Sequence, residues 1–433
     1  MKLRAALLAL SASVLALLVT LPATQANAYE FAFADVHGRV GGHLLSTTMA
    51  GYSPKTATLP AEDLGIAVVR LRPVADVGVG DTLRFDFAWD VLPVVGSGAF
   101  VQRLAVAPPN RLRLWDFDMV AADGTSVDVQ HNLDRLSLRL TAGDVDVRIG
   151  RQAIGHGGAR LLPTADLFGP FGPGSIATAF KRGVDAIRFT APFGDSVEVE
   201  AYAVAHRAAL AGEANDVGLR DGIYALRLGL RVEGLLDASV IAGVSYRLPT
   251  LAFSLNGDVL GAGWYVEGST RWDSDATGAF GEADGKLQLR TTAGLDRQWP
   301  SKLRTLLEVS YQSTGSDATG DDVALGMLAA SARLPVVVGE AFLLGRLHAG
   351  AVVSREFWDL HNASVAAIWN LSDGSGFLMP SLALSISDEV GLAVGALLPV
   401  GKRPLVKFGD VPLPRSEFGS SPFLGYVDLR LGW

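Results

Sequence analysis

Cysteine is absent from all 433 residues. That excludes a disulfide framework and any thiol chemistry, so an exported chain of this kind must be stabilised without staples. Charge is sparse as well. Asp, Glu, Lys and Arg make up 19% of the residues against 49% hydrophobic ones, which is too apolar for a disordered secreted chain. Such a composition would suit a helical membrane protein, but after residue 21 no run of about 18 apolar residues occurs. The nearest candidate, 323–353, is interrupted by Arg333, Pro335, Glu340, Arg346 and His348. A net charge of −8, with no block of like charges, argues against nucleic-acid binding. The seven histidines fall in no metal-ligand spacing. Gly155-His156-Gly157-Gly158 has no G-x-S-x-G beside it and no G-K-[ST] after it, so neither a hydrolase nor a phosphate loop is indicated. No cofactor or metal is expected, and an enzyme is the least favoured class.

What is present begins with an export signal. Lys2 and Arg4 form a positive n-region, Ala5 to Leu21 an apolar h-region, and Ala26-Asn27-Ala28 a cleavage site. Residues 1–28 therefore read as a secretory signal peptide and 29–433 as the mature domain. Along that domain, apolar and polar residues alternate arm after arm, the period of a strand that is greasy on one face and wet on the other. Leu83, Phe85, Phe87 and Trp89 oppose Arg84, Asp86 and Asp90. Val197 and Val199 oppose Glu198 and Glu200; Trp264 and Val266 oppose Tyr265 and Glu267. Tight turns such as Thr141-Ala-Gly-Asp144 alternate with glycine-rich acidic stretches such as 273–285 and 313–322. In lipid every backbone polar group needs an internal partner, which leaves a closed barrel as the spanning structure. The reading is an all-β fold, a transmembrane antiparallel up-and-down β-barrel of about 18 strands, within 16 to 20. The arms at 248–260 and 336–344 could each be one strand or two.

The last arm, Phe423 to Trp433, alternates Val427, Leu429, Leu431 and Trp433 against Tyr426, Asp428 and Arg430. It resembles the C-terminal assembly signal of outer-membrane barrels. That resemblance implies a Gram-negative outer-membrane location, lipid and lipopolysaccharide as surroundings, and recognition by the barrel-assembly machinery through the Trp433 strand.

The alternation also assigns a lumen. Arg84, Arg135, Arg139, Arg148, Arg188, Arg227, Arg231, Arg247, Arg271, Arg304, Arg333, Arg346 and Arg430 are expected to point inward. So are Asp86, Asp146, Glu198, Glu200, Glu233, Glu267, Glu308 and Asp428. An excess of inward arginine would favour anions in an aqueous pore; the alternative is a structural ladder of Arg–acid pairs. Between the arms Asp144–Gln152 and Lys181–Phe189 lies a long loop, at about 152–182, rich in Gly and Pro yet carrying Leu161, Leu162, Leu167, Phe168, Phe171, Ile176 and Phe180. A loop that long and that apolar is usually functional. It is expected either to fold into the lumen or to lie on the rim as a lid. In the first case Arg148, Arg151, Arg160, Asp166, Lys181, Arg182 and Asp185 would stand near a constriction, with Arg188, Arg135, Arg139, Arg227 and Arg231 lining the pore.

Arg148-Ile-Gly-Arg-Gln152, Gly155-His-Gly-Gly-Ala-Arg160, Asp166-Leu-Phe-Gly-Pro170 and Phe180-Lys-Arg-Gly-Val-Asp-Ala-Ile-Arg188 resemble an element of proteobacterial outer-membrane porin-like barrels, of which the alginate-export type is the best known. Asp373-Gly-Ser375 and the turn at Pro399 resemble that group too. The resemblance implies a channel or exporter for small solutes. The alternative is a plugged barrel acting as a surface binding or adhesion protein; solute, direction and oligomeric state stay open at this point.

Overall fold

The structure, a computed structural model, describes residues 28–56, 61–96, 111–115, 119–123, 127–172, 179–207, 219–273, 287–358, 360–408 and 411–433. The expected signal peptide lies outside these, apart from Ala28.

In chain order the strands are β1 (Tyr29–Phe33), β2 (Val36–Ser53), β3 (Glu62–Val79), β4 (Leu83–Gly96), β5 (Met119–Asp123), β6 (Val127–Ala142), β7 (Val145–Gln152) and β8 (Val184–Phe193). They continue with β9 (Val197–Val204), β10 (Ile223–Val232), β11 (Leu236–Ser245), β12 (Leu248–Val259), β13 (Ala262–Trp272), β14 (Leu287–Gln298) and β15 (Leu303–Gln312). Two helices, α1 (Val323–Ser331) and α2 (Leu334–Val337), precede β16 (Leu347–Phe357) and β17 (His361–Asn370). The chain ends with β18 (Gly376–Ser385), β19 (Val390–Val400), the small hairpin β20 (Leu405–Phe408) and β21 (Val411–Leu413), and β22 (Phe423–Gly432).

Each barrel strand pairs antiparallel with the next, and β22 returns to pair with β2, His43 opposite Gly432 and Tyr52 opposite Phe423. Leaving aside β1, β5, β20 and β21, the closed sheet has 18 strands. Closure removes the open edges that lipid would leave unpaired. β1 pairs with β2 just beyond the end of β22, so Tyr29 sits opposite Val40 while Trp433 exchanges backbone hydrogen bonds with Gly42.

The alternation in the sequence fixes the two faces. On β10 Leu226 and Leu228 point out and are 62% and 54% exposed, whereas Glu308 on β15 points in and is 1% exposed. Aromatic residues ring both rims of the outer face: Phe85, Phe193, Trp299 and Trp358 at one, Tyr52, Tyr224, Trp272, Tyr311 and Phe423 at the other. Such girdles sit at the two lipid–water interfaces. One rim carries tight turns, with Gly80, Gly143, Gly194, Gly234 and Gly261 at positive φ where a side chain would be strained. The other carries the long connections. We call them the turn rim and the loop rim.

Two ambiguous arms resolve differently. Residues 248–259 form one strand. Residues 336–344 form no strand: α2 and an irregular run fold them over the lumen, because Glu340 is drawn to Arg271 and Arg290 on the wall.

Candidate functional site

The lumen is built around two glutamates. Glu267 on β13 and Glu308 on β15 share the inward parity, with Thr292 of β14 between them. From the connection between β7 and β8, residues 153–172 leave the loop rim, enter the barrel and cross to these side chains, and residues 179–183 lead back to β8. Glu267 accepts hydrogen bonds from the backbone N–H of Gly158 (2.6 Å) and Ala159 (2.9 Å) through one oxygen, and from Thr164 (2.7 Å) and Ala165 (3.1 Å) through the other. Glu308 accepts from the N–H of Arg160 (2.7 Å), Leu161 (3.2 Å) and Leu162 (2.8 Å), and from the Tyr265 hydroxyl. Thr292 donates to the Leu162 carbonyl at 2.6 Å and Arg290 to that of Pro163 at 3.1 Å. A stretch without secondary structure thus has its buried N–H groups satisfied by the wall, as burial requires. The approach is close. Gly157 has φ +98°, and a Cβ there would stand 2.4 Å from the Glu267 carboxylate.

Apolar contacts complete the docking. Ile154, Leu167 and Phe168 pack with the inward faces of β8 to β12 (Val184, Ala186, Tyr202, Val204, Ile223, Ile241 and Ala252). Leu162 packs with Ile368 and Phe418 on the far side. Ile154, Leu161, Leu162, Leu167 and Phe168, too apolar for a solvated loop, thus join the barrel's interior core, whereas Ile176 lies outside the described residues. Burial pushes the His156 imidazole down to about 3, and its ring packs against Phe168 and Tyr202. Burial also outweighs the neighbouring Lys181 and raises the Asp166 carboxyl, although the two are ion-paired. Two further connections join the loop. Glu340 binds Arg271 at 2.6 Å. Glu417, in the β19–β22 connection, takes His348 at 2.8 Å and Asn370 at 2.7 Å. Burial would raise the Glu417 carboxyl, but these partners and the Leu344 N–H hold it below the usual range.

The expected pore-lining arginines are distributed in pairs. Arg148 binds Asp86, Arg139 binds Asp146, Arg135 binds Asp134 and Arg188 binds Glu200. Arg227 lies 2.7 Å from Glu198 and 2.9 Å from Glu200, and Arg231 lies 3.1 Å from Asp237 near the turn rim. Arg160 reaches Asp296 at 3.9 Å, while Arg182 is exposed on the loop's return limb. Arg151 and Asp185 occupy different ground. They share the outward parity of Val147 and Ile149, bind each other at 2.7 Å, and are covered by residues 111–115 through Leu114 N–H and the Trp115 carbonyl.

Three expected luminal arginines lie elsewhere. Arg247 is in the two-residue turn after β11 at φ +67°, paired with Asp221; Arg333 precedes α2; Arg346 meets Asp317 at the loop rim. Glu233 falls in the turn after β10. Strand parity adds Arg39, Arg70, Arg72 and Arg290 to the inward cations, and Asp76, Asp90, Asp128, Asp134, Asp237, Asp296 and Glu356 to the acids. The basic excess expected inside gives way to a nearly balanced wall.

Asp134 shows why the register matters. Ala88 pairs with Arg135 but Trp89 with Leu133, so Asp134 is the extra residue of a bulge and its side chain turns inward. There it binds Arg72 (2.8 Å), Arg113 (3.4 Å) and Arg135, and accepts the Gly183 N–H at 2.9 Å. Arg72 is held also by Asp90 at 2.9 Å, and its guanidinium lies 4.4 Å from the centre of the Phe180 ring.

The docked loop fills the side of the lumen facing β8 to β17. Against β2, β3, β4 and β6 there remains a cavity of about 1310 Å³ toward the turn rim. Arg39, Arg84, Arg135 and Arg148 line it together with Glu30, Asp76, Asp86, Asp388 and Glu389, with Arg72, His43 and Phe180 among its walls.

With a closed barrel, a lumen-crossing loop and a residual cavity established, the comparison with known structures is direct. The fold matches OccAB1 of Acinetobacter baumannii over 95% of this chain and 99% of that one, with a TM-score of 0.51 and 11% identity. The chain has the fold of porin structures, a closed 18-stranded antiparallel β-barrel. OccAB4 of the same organism (TM-score 0.50, 10% identity, 92% and 97% covered) and OccK9 (OpdG) of Pseudomonas aeruginosa (0.50, 12%, 91% and 98%) match similarly. No family model and no curated sequence matches. These likenesses show a porin-type barrel fold and give no support to the alginate-export branch of the resemblance.

Proposed function

We propose that this protein is an outer-membrane channel for small polar solutes, conducting through the space that the β7–β8 loop leaves free beside β2, β3, β4 and β6. The observation that carries the reading is the docking of that loop on Glu267 and Glu308: it narrows an 18-stranded lumen without filling the cavity along the opposite wall. A barrel of this size is wide enough for water even with one loop inside. The long connections would face outward from the cell and the tight turns the periplasm, as in outer-membrane barrels generally.

The solutes preferred are anions. Most inward charges cancel in pairs, and the inward Glu267 and Glu308, which have no cation partner among the described ion pairs, are buried beneath the docked loop. Arg39 and Arg70 face the lumen with no carboxylate in ion-pair contact among the described residues, although Asp76 stands opposite Arg39 and Asp90 lies near Arg70. Arginines in a confined pore attract anions by ordinary Coulomb attraction. A liposome-swelling series with acetate, lactate and citrate against cations of matched size tests this. Equal or faster entry of the cations would refute the anion preference.

A second reading has its own observation. Glu340 and Glu417 fasten two more connections over the loop-rim side of β13 to β17, which suits a plugged barrel whose surface binds or adheres. Folded protein that admits no solute of any charge would favour it. The expected assembly contact belongs here too: we propose that the β22 strand ending at Trp433 is what the barrel-assembly machinery recognises.

A further inference from the structure

Phe180 occupies a place that neither the wall nor the loop's core explains. Its neighbours in the chain run along the inner face of β6, where the Lys181 carbonyl accepts from Arg135 and the Gly183 N–H donates to Asp134. The Phe180 side chain leaves this limb away from the core formed by Leu167 and Phe168. It reaches β3 and β2, where the Arg72 guanidinium faces the ring at 4.4 Å and the His43 ring stands 5.0 Å away, tilted by 50°. Arg72 is itself immobilised by Asp90 and Asp134. The ring therefore reaches from the limb on β6 past β4 to β3 and β2 of the same wall, and borders the cavity of about 1310 Å³ that lies against these strands on the turn-rim side.

We propose that Phe180 is the size-limiting gate of the pore. A guanidinium over a ring face is a directional contact that gives the closed position a defined seat. Phe180 is partly exposed, in contrast to the fully packed Phe168, and empty volume adjoins it. The ring has room to swing toward the turn rim without moving the docked part of the loop. Arg72 serves as a positioning residue that seats the ring; solute contacts the ring itself. This inference rests on the channel reading.

The test is single-channel conductance of refolded full-length barrels, wild type beside Phe180→Ala, Phe180→Leu and Phe180→Trp, with folding checked by heat-modifiable gel mobility. Liposome swelling with neutral sugars from pentose to trisaccharide gives the size cut-off. The expected result is a conductance rise of about 1.5-fold or more in Phe180→Ala, entry of a larger sugar, and a fall below wild type in Phe180→Trp. Should Phe180→Ala fail to fold, Phe180→Leu carries the same expectation at reduced amplitude. If wild type conducts and the folded variants match it in conductance and cut-off, the gate is overturned and the channel reading stands. If wild type and every variant are silent, the channel reading falls and the gate with it.

Discussion

Replacing Glu267 by Gln should undock the β7–β8 loop while leaving the barrel closed. The carboxylate presents two oxygens, each taking two backbone N–H groups. An amide keeps one oxygen and turns an NH₂ group toward the other pair, so two buried donors lose their acceptor. Each orphaned donor costs about 1–3 kcal/mol, and the pair about 2–6 kcal/mol. Since about 1.4 kcal/mol is tenfold, the docking equilibrium shifts at least roughly 25-fold. Hydrogen exchange of the peptide covering 155–168 reads this directly: protection falls by that factor while peptides from β13 and β15 keep theirs. Glu308→Gln should act similarly through Arg160, Leu161 and Leu162. Asp296→Asn is the contrast, because its 3.9 Å contact with half-exposed Arg160 is a rim pair worth about 1 kcal/mol or less. Unchanged exchange in a folded Glu267→Gln barrel would refute the claim that these carboxylates hold the loop.

Three further outcomes follow from the same geometry. Glu417 has its carboxyl held below the usual range in the folded protein, so its contribution is full above the ordinary glutamate value of about 4.3 and is lost as pH falls through the folded value. Exchange of residues 411–421 should therefore stay slow at pH 5 and speed up below about pH 4; release already at pH 6 would contradict the assignment. Deleting Trp433 removes its two backbone hydrogen bonds with Gly42 and the aromatic end of β22; the heat-modifiable, membrane-inserted fraction should fall, and an undiminished fraction would sink that role. Arg39→Ala with Arg70→Ala should move the reversal potential in a salt gradient toward cations, and no movement would mean that other charges set the field.

Much of the barrel was legible because side-chain parity is a local property. Trp264 and Val266 face out and Tyr265 and Glu267 face in because a strand admits no other arrangement, and a chain with no second apolar helix must close its sheet in lipid. The loop's descent was legible in outline from Leu162, Leu167 and Phe168, since a solvated loop would not carry them. Its partners were not. Nothing in the sequence separates Glu267 and Glu308 from Glu198, which binds an arginine near the turn rim; the distinction arises when residues more than a hundred positions apart meet. The inward charge tally failed at Asp134 because a bulge shifts parity by one residue without any mark in the pattern. Arg151 and Asp185 were placed by proximity in sequence to the loop, yet strand parity sends them outward beneath residues 111–115.

The central claim, that a solute path survives beside the docked loop, is tested most directly by planar-bilayer recording of the refolded barrel across a KCl gradient. The account expects steady ohmic steps with a reversal potential on the anion side. A silent bilayer from protein shown to be folded would contradict it.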